Sequence, residues 1–408
     1  MIEWSEQHLM IRDAFRRFID AEIKPNVEAL EHGDLAPYGI LRKLVQTFGM
    51  DEVARQRFQK EIARDKAAAQ GEAPPKAGKA PRDPDAVAMQ LIPIIELCRW
   101  CPGMVTAMGV SVGLTAAAIN SRGTIAQRER WALPLLTVET IGAWAITEPG
   151  SGSDAFGSMK SSARRDGNGG YVLNGNKTFI TNGPYADTIV FICKLDEGND
   201  PKDRKVLSFI LDKGTPGLTQ SKPLRKMGLH SSPTGELFLE DVRVGKDRLI
   251  GETEDVPARS GAKATFGMER SGVAAMALGI VQQCLEVSID YARTRVQFGK
   301  PIGEFQLIQL KLAKMEVARM NLENMVFRQI ELAADGKGMS FAEASACKLY
   351  AAQAAMDVTL EAVQLFGGNG YMAEFQVEQL CRDAKVLQIY GGTDEIQVSQ
   401  IARTLLAR

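Results

Sequence analysis

Histidine is nearly absent from this chain, with only His8, His32 and His230 among 408 residues. So few imidazoles argue against a Ser-His-Asp hydrolase. The six cysteines, at 98, 101, 193, 284, 347 and 381, are scattered, and only Cys98-Arg99-Trp100-Cys101 has metal or redox spacing. Without a second cysteine pair no zinc or other metal centre is expected, and the thiols read as buried structural residues of a reducing compartment. Neither sign of charge dominates. The 49 basic and 50 acidic residues leave a net charge of −1, which offers no general attraction for nucleic acid or an anionic membrane surface. The apolar runs are interrupted short of a membrane span. The opening stretch Met1-Ile2-Glu3-Trp4-Ser5-Glu6-Gln7 lacks both a signal peptide's apolar centre and a transit peptide's arginines, so a cytoplasmic protein is expected.

What is present is an ordinary globular composition, 45% hydrophobic and 24% charged, at a length suited to two or three cooperating domains. Residues 1–138 carry helical periodicity, as in Leu9-Met10-Ile11, Phe15, Phe18-Ile19 and Ile23. Residues 51–70 are polar and rich in Ala, Arg and Lys. Residues 71–86 are rich in Pro, Gly, Ala and Lys, cannot bury a core, and read as an exposed linker. Residues 139–252 change to strand patterns. Tyr171–Thr181 holds an Asn174-Gly175 pair between β-prone runs, a hairpin signal. Thr188–Cys193, Val206–Leu211 and Glu236–Glu240 are further strands. From residue 253 to 408 the helical period returns. The order helices, strands, helices is not the alternation of a doubly wound nucleotide fold.

Several short strings lie along this frame. Trp144-Ala145-Ile146-Thr147-Glu148-Pro149-Gly150-Ser151-Gly152-Ser153-Asp154 is a loop in which Gly150 and Gly152 permit positive φ and close backbone approach to a flat ligand. Phe179-Ile180-Thr181-Asn182-Gly183 follows, then Lys226-Met227-Gly228-Leu229-His230, whose histidine reads as a surface-loop residue. Arg295-Val296-Gln297-Phe298-Gly299-Lys300-Pro301 offers a guanidinium suited to a pyrophosphate and a glycine at a turn. Gln364-Leu365-Phe366-Gly367-Gly368-Asn369-Gly370-Tyr371 and Ile389-Tyr390-Gly391-Gly392-Thr393-Asp394-Glu395-Ile396 complete the set. Each string alone is weak: a Gly/Ser loop, a core aromatic or a helix cap is the plain reading.

In this order and architecture, the strings resemble the acyl-CoA dehydrogenase family over roughly residues 90 to 408. The resemblance implies an N-terminal helical domain (1–138), a central β-barrel-like domain (139–252) and a C-terminal four-helix bundle (253–408). It implies FAD, held by Trp144, Ile146, Thr147, Ser153, Phe179, Thr181, Arg295, Gln297, Phe298, Gln306, Gln364, Gly367, Gly368, Thr393 and Glu395. It also implies contacts to the acyl-CoA from Ser153, Phe266, Arg270, Tyr390 and Gly392, a homotetramer or dimer, and electron-transferring flavoprotein as acceptor. The match is poorer near the N-terminus, where residues 51–86 replace the Gly-rich loop usual in the family.

The resemblance also raises a question of chemistry. In many relatives the position of Gly391 is the catalytic Glu. A glycine has no carboxylate, yet it keeps its amide. Phe266-Gly267-Met268-Glu269-Arg270 opens a long helix, and one branch of the family, which includes isovaleryl-CoA and long-chain dehydrogenases, carries its base there. Glu269 is therefore the expected base, and the Gly391 amide the expected donor to the thioester oxygen. Otherwise Glu269 is a first-turn helix glutamate. Asp394 and Glu395 are lesser rivals as base. Without a side chain at 391, the site is expected to accept a branched, long or bulky acyl group. An acyl-CoA oxidase and a non-catalytic acyl-CoA-binding homologue are the alternatives.

Overall fold

In the computed structural model of the chain, residues 3–32, 35–72, 83–255 and 258–407 are described, apart from the side chains of 258–269 and 271. The chain opens with α1 (Glu6–Phe18), α2 (Val27–His32), α3 (Tyr38–Thr47), α4 (Met50–Ala69) and α5 (Pro84–Cys98). Next, α6 (Pro102–Met108) runs through a π-helical turn, Gly109–Ala116, into α7 (Ala117–Arg122). The short helices α8 (Ile125–Gln127) and α9 (Leu133–Leu136) end this part. Local chemistry sets several boundaries. Ser5 and His8 form a capping box on α1, and Asp83 caps α5 with Pro84 in its first turn. The helix thus begins ahead of Val87, inside the stretch read as linker, and most of that stretch (73–82) lies outside the described residues. The polar segment before it is a docked helix. Phe58 and Ile62, one turn apart on α4, are buried, and Asp65 pairs with Arg128 at 2.6 Å.

The middle of the chain is one seven-stranded mixed sheet. Its strands are β1 (Gly142–Ala145), β2 (Ser162–Arg165), β3 (Tyr171–Thr181), β4 (Thr188–Leu195), β5 (Val206–Asp212), β6 (Leu218–Gln220) and β7 (Thr234–Val244). β4 pairs in parallel with β1 and then β2 on one side and antiparallel with β5 on the other; β3, β7 and β6 follow β2. Asn174-Gly175 does not turn the chain. Both residues lie inside β3, where the pairing with β7 shifts register, so the pair makes a bulge. A Cβ on Gly175, at φ 151°, would come within 2.2 Å of Ser161 Oγ. The Asn174 amide bonds Asp241 across the sheet, at 3.0 Å to its carboxylate and 2.9 Å from its N–H. A close neighbour and a cross-strand bond stabilise this shape, and neither is visible in a dipeptide.

The C-terminal part is α10 (Ala258–Thr294), a small hairpin of β8 (Val296–Gln297) and β9 (Lys300–Pro301), α11 (Gln306–Ala334), α12 (Phe341–Phe366), α13 (Val377–Lys385) and α14 (Asp394–Leu406). One apolar core joins these helices to the first ones: Phe15, Ile23, Leu44 and Leu91 lie in the same cluster as Val281, Leu322, Ala355 and Leu380. The sheet has a core on each face. Ala143 and Ala145 of β1 enter one; Trp144 and Ile146 enter the other, with Phe58, Ile62 and Trp131 from the first helices. Two segments, Pro102–Arg122 and Gly272–Thr294, have the length and apolar composition of a membrane span, but they are 56% and 72% buried inside the fold. All six cysteines are free, four of them fully buried, and no metal-binding cluster occurs among the described residues.

Candidate active site

The Gly391-Gly392 turn precedes α14, and both glycines have positive φ, 63° and 94°. A Cβ on Gly392 would lie 2.8 Å from Gln397 Nε2 and 3.2 Å from Arg270 Nη2. The turn's carbonyls face these two side chains. Arg270 Nε donates to Gly391 O at 3.1 Å, and Gln397 Nε2 donates to Gly391 O at 3.2 Å and Gly392 O at 2.7 Å. Arg270 Nη1 also reaches Ser345 Oγ at 3.2 Å, and its guanidinium lies 4.4 Å over the Phe341 ring. Thr393 caps α14, its hydroxyl accepting from the Ile396 N–H. Buried Lys348 pairs with Asp394 at 3.2 Å. Tyr390 points its hydroxyl at Met276 Sδ, 3.4 Å away. Glu395 is exposed; its own backbone N–H and the Thr393 hydroxyl hold its carboxyl low.

A second group forms around the end of β1 and the middle of β3. Trp144 and Ile146 are buried. The Thr147 carbonyl accepts from the Thr178 N–H at 2.9 Å. Next to it, Lys177 and Glu148 form a buried ion pair at 2.8 Å. Lys177 Nζ also donates to Ile146 O at 3.0 Å, and the N–H groups of Lys160 and Ser161 donate to the Glu148 carboxylate at 2.7 and 3.0 Å. Burial pushes the Glu148 carboxyl up, but Lys177 and the added donors outweigh it and hold the group below its usual range. On this base sits Phe179, at φ 57° and 69% exposed. Asn182 has φ 64° and is fully buried. It takes a bond from Tyr38 Oη at 3.0 Å and donates to the carbonyls of Ala107 and Gly142, each at 2.9 Å. By contrast, Gly150 and Gly152 are not at positive φ, and nothing lies within 4 Å of a Cβ placed on either. The positive φ that glycine permits is not used at either position.

The other predicted cofactor residues lie on the outer surface of the C-terminal helices. Phe298 and Gly299 turn the β8–β9 hairpin, both at positive φ (52° and 78°), and Phe298 is 94% exposed. Arg295, Gln297, Gln306, Gln364, Gly367 and Gly368 are also exposed, as is Ser153. Thr147, Thr181 and Thr393 are half-buried. The side chains of Phe266 and Glu269 lie outside the described residues; the backbone carries them on α10, four residues and one residue before Arg270. Arg270, predicted to touch the CoA, is buried against the chain's own Gly391 and Ser345. His230 is not a free surface residue: it is half-buried, bonded to Lys226 O at 2.7 Å and facing Glu31 at 3.8 Å. Sequence reasoning missed Gln397, Lys177 and Asn182. Lys177 on an inward-facing strand position was the available signal; the side-chain partners of Asn182 lie 40 to 144 residues away, and Gln397 reads as an ordinary helix residue until the turn five residues earlier closes on it.

Two family models match this chain: the acyl-CoA dehydrogenase middle domain over residues 143–242 and the acyl-CoA dehydrogenase C-terminal domain over residues 260–406. A short-chain-specific acyl-CoA dehydrogenase of Megasphaera elsdenii is 38% identical over 81% of this chain and 85% of its own length. A 3-(aryl)acrylate reductase of Clostridium sporogenes is 34% identical over 99% of both chains. The crystal structure of an acyl-CoA dehydrogenase complexed with FAD from Bacillus anthracis superposes with a TM-score of 0.78 at 28% identity, covering 99% of this chain and 68% of that one.

Proposed function

This chain belongs to the acyl-CoA dehydrogenase family, and on that premise we propose that it oxidises a branched, long or ring-bearing acyl-CoA, with Glu269 as the base. The reaction class follows from the family: an acyl-CoA thioester is oxidised by an enzyme that uses FAD. The residues present fit such a group. Two exposed phenylalanines, Phe179 and Phe298, are held at positive φ, which is costly for an aromatic side chain and common where a ligand is gripped. Thr147 and Thr181 would offer it hydroxyls, and Arg295 and Gln297 would offer donors for its phosphates. When bound, FAD supplies the acceptor for the two electrons and the β-hydrogen.

The rest of the chemistry falls to the chain's own residues. The α-carbon of a thioester is a weak acid, so a carboxylate must take its proton while a donor steadies the charge growing on the thioester oxygen. The observation that carries our reading is the Gly391-Gly392 turn: it has no side chain at 391, and its carbonyls are held by Arg270 and Gln397. The amide edge of such a turn is available to an oxygen. Residue 269 adjoins Arg270 on α10, whose guanidinium bonds Gly391; that Glu269 serves this turn as base is proposed on the family resemblance. A missing side chain at 391 leaves volume beside the α- and β-carbons, which favours a branch or ring. The aryl-acrylate relative supports such a substrate, whereas the short-chain relative supports a smaller one. Exposed Leu307, Leu310, Val317 and Met320 follow one face of α11 and support a homo-oligomer, proposed as a tetramer or dimer. Electron-transferring flavoprotein is the proposed acceptor, on family grounds alone.

The test is Glu269→Gln, assayed with butyryl-, isovaleryl- and 3-phenylpropionyl-CoA beside the parent enzyme. We expect the variant to keep its FAD and to lose at least about 1,000-fold in kcat, the scale of removing a carboxylate base. Substantial remaining turnover would overturn the assignment of the base. A clear preference of the parent for butyryl-CoA would overturn the substrate class.

A further inference from the structure

Two adjacent glycines at positive φ form a turn with little stiffness of its own, since glycine crosses its conformational space more freely than any other residue. An oxyanion donor needs the reverse: its N–H must already point where charge will develop. In this chain the stiffness comes from outside the turn. Gln397 is fully buried, and its single amide nitrogen bonds two successive carbonyls, Gly391 O at 3.2 Å and Gly392 O at 2.7 Å. Arg270 adds a third bond, Nε to Gly391 O at 3.1 Å, and is itself braced by Ser345 and the Phe341 ring. On the other side, the Tyr390 N–H bonds Val386 O at 3.0 Å. In a trans peptide the C=O and the following N–H point in opposite directions. Pulling both carbonyls onto Gln397 and Arg270 therefore turns the N–H groups that follow them to the opposite edge. Those are the N–H groups of Gly392 and Thr393; the Gly391 N–H lies in the preceding peptide, which is confined between the Tyr390 N–H held by Val386 and the Gly391 carbonyl held by Gln397 and Arg270, with Gly391 at φ 63°.

We infer that Gln397, with Arg270, is a positioning residue: it holds the Gly391-Gly392 turn so that the amide of Gly391 is aimed at the thioester oxygen. The inference rests on the proposed role of that amide and deepens it. Gln397 is fully buried and acts through the turn it bonds. The direction matters because a misaimed donor loses most of its effect on developing charge while still allowing the ligand to bind.

The experiment uses the FAD-loaded enzyme and two variants, Gln397→Met, which keeps the volume without a donor, and Gln397→Glu, which keeps the shape and removes the N–H groups. Flavin absorbance and thermal melting establish that each is folded and loaded. Two quantities are read: kcat and KM with the best acyl-CoA, and the infrared stretch of the thioester carbonyl of bound enoyl-CoA product. We expect kcat to fall about 10- to 100-fold with KM within threefold, and the carbonyl stretch to lose most of its downward shift on binding. A purely structural glutamine would lower the melting point and leave that shift intact, which would overturn the inference. If the parent enzyme shows no carbonyl shift, the role of the Gly391 amide fails instead, whatever the variants do. Should neither variant fold, Arg270→Lys, which keeps the charge and loses the second donor, must reproduce the lost shift; an unchanged shift there would also overturn it.

Discussion

Asn182 carries more of the structure than its place in a five-residue string suggests. Its side chain meets Tyr38 from the first helices, Ala107 from α6 and Gly142 from the sheet, and its N–H meets Pro233 at 2.7 Å. Replacing it with alanine strands three polar groups away from water. Asn182→Ala is expected to lower stability by about 2–4 kcal/mol, read from urea unfolding, with flavin affinity falling alongside because Phe179 lies three residues away. The string was legible only as one of a set that together resemble the family, and the role of Asn182 within it was not, because its side-chain partners lie 40 to 144 residues away. Gln397 was hidden for a different reason: it reads as an ordinary helix residue until the turn five residues earlier closes against it. Gly391 stood out at once, since a glycine where the family resemblance implies a glutamate is visible in one dimension.

At the scale of elements, the order of helices and strands was legible and some of their shapes were not. Periodicity located α1 and β4, but Asn174-Gly175 imitated a turn. A local signal for a hairpin lost to the cross-strand bonds that Asn174 makes with Asp241. The polar helix α4 illustrates the opposite case. Its sequence reads only as polar and rich in Ala, Arg and Lys, yet Phe58 and Ile62 are enough to seat it beside Trp131, Trp144 and Ile146. Its hold is correspondingly narrow. Phe58→Ala is expected to cost about 3 kcal/mol and to release α4 before the rest of the fold. Hydrogen exchange should then show loss of protection over Met50–Ala69 while the sheet keeps its own; equal loss across the chain would contradict this.

At the scale of the molecule, three parts of the chain meet at Glu31. The carboxyl of this α2 residue is buried, and neither of its oxygens accepts a hydrogen bond among the described residues. Around it stand His230 and Lys226 from the loop before β7 and Asp383, Arg382 and Glu378 from α13. Burial first, and the charge of Asp383 second, push the Glu31 carboxyl up to about 8. The sign follows directly. A carboxyl that holds its proton more tightly in the folded state adds stability at low pH, and loses it as pH climbs from the unfolded value through about 8. Glu31→Gln cannot ionise. The variant is expected to melt like the parent near pH 5 and to be more stable by on the order of 2 kcal/mol at pH 9. Melting curves across that range decide the matter, and parallel curves would exclude Glu31 as the source.

The shared core of the first and last helices has a consequence for how the chain is made. Phe15, Ile23 and Leu91 leave the ribosome early, but Val281, Leu322 and Ala355, which cover them, arrive only after the whole sheet has been synthesised. For most of synthesis the first helices therefore hold an apolar face with no native partner. Their closure belongs to the slow class of contacts that bridge distant parts of a chain. A nascent chain stopped before α10 exposes that apolar face and is an aggregation hazard until the last third arrives.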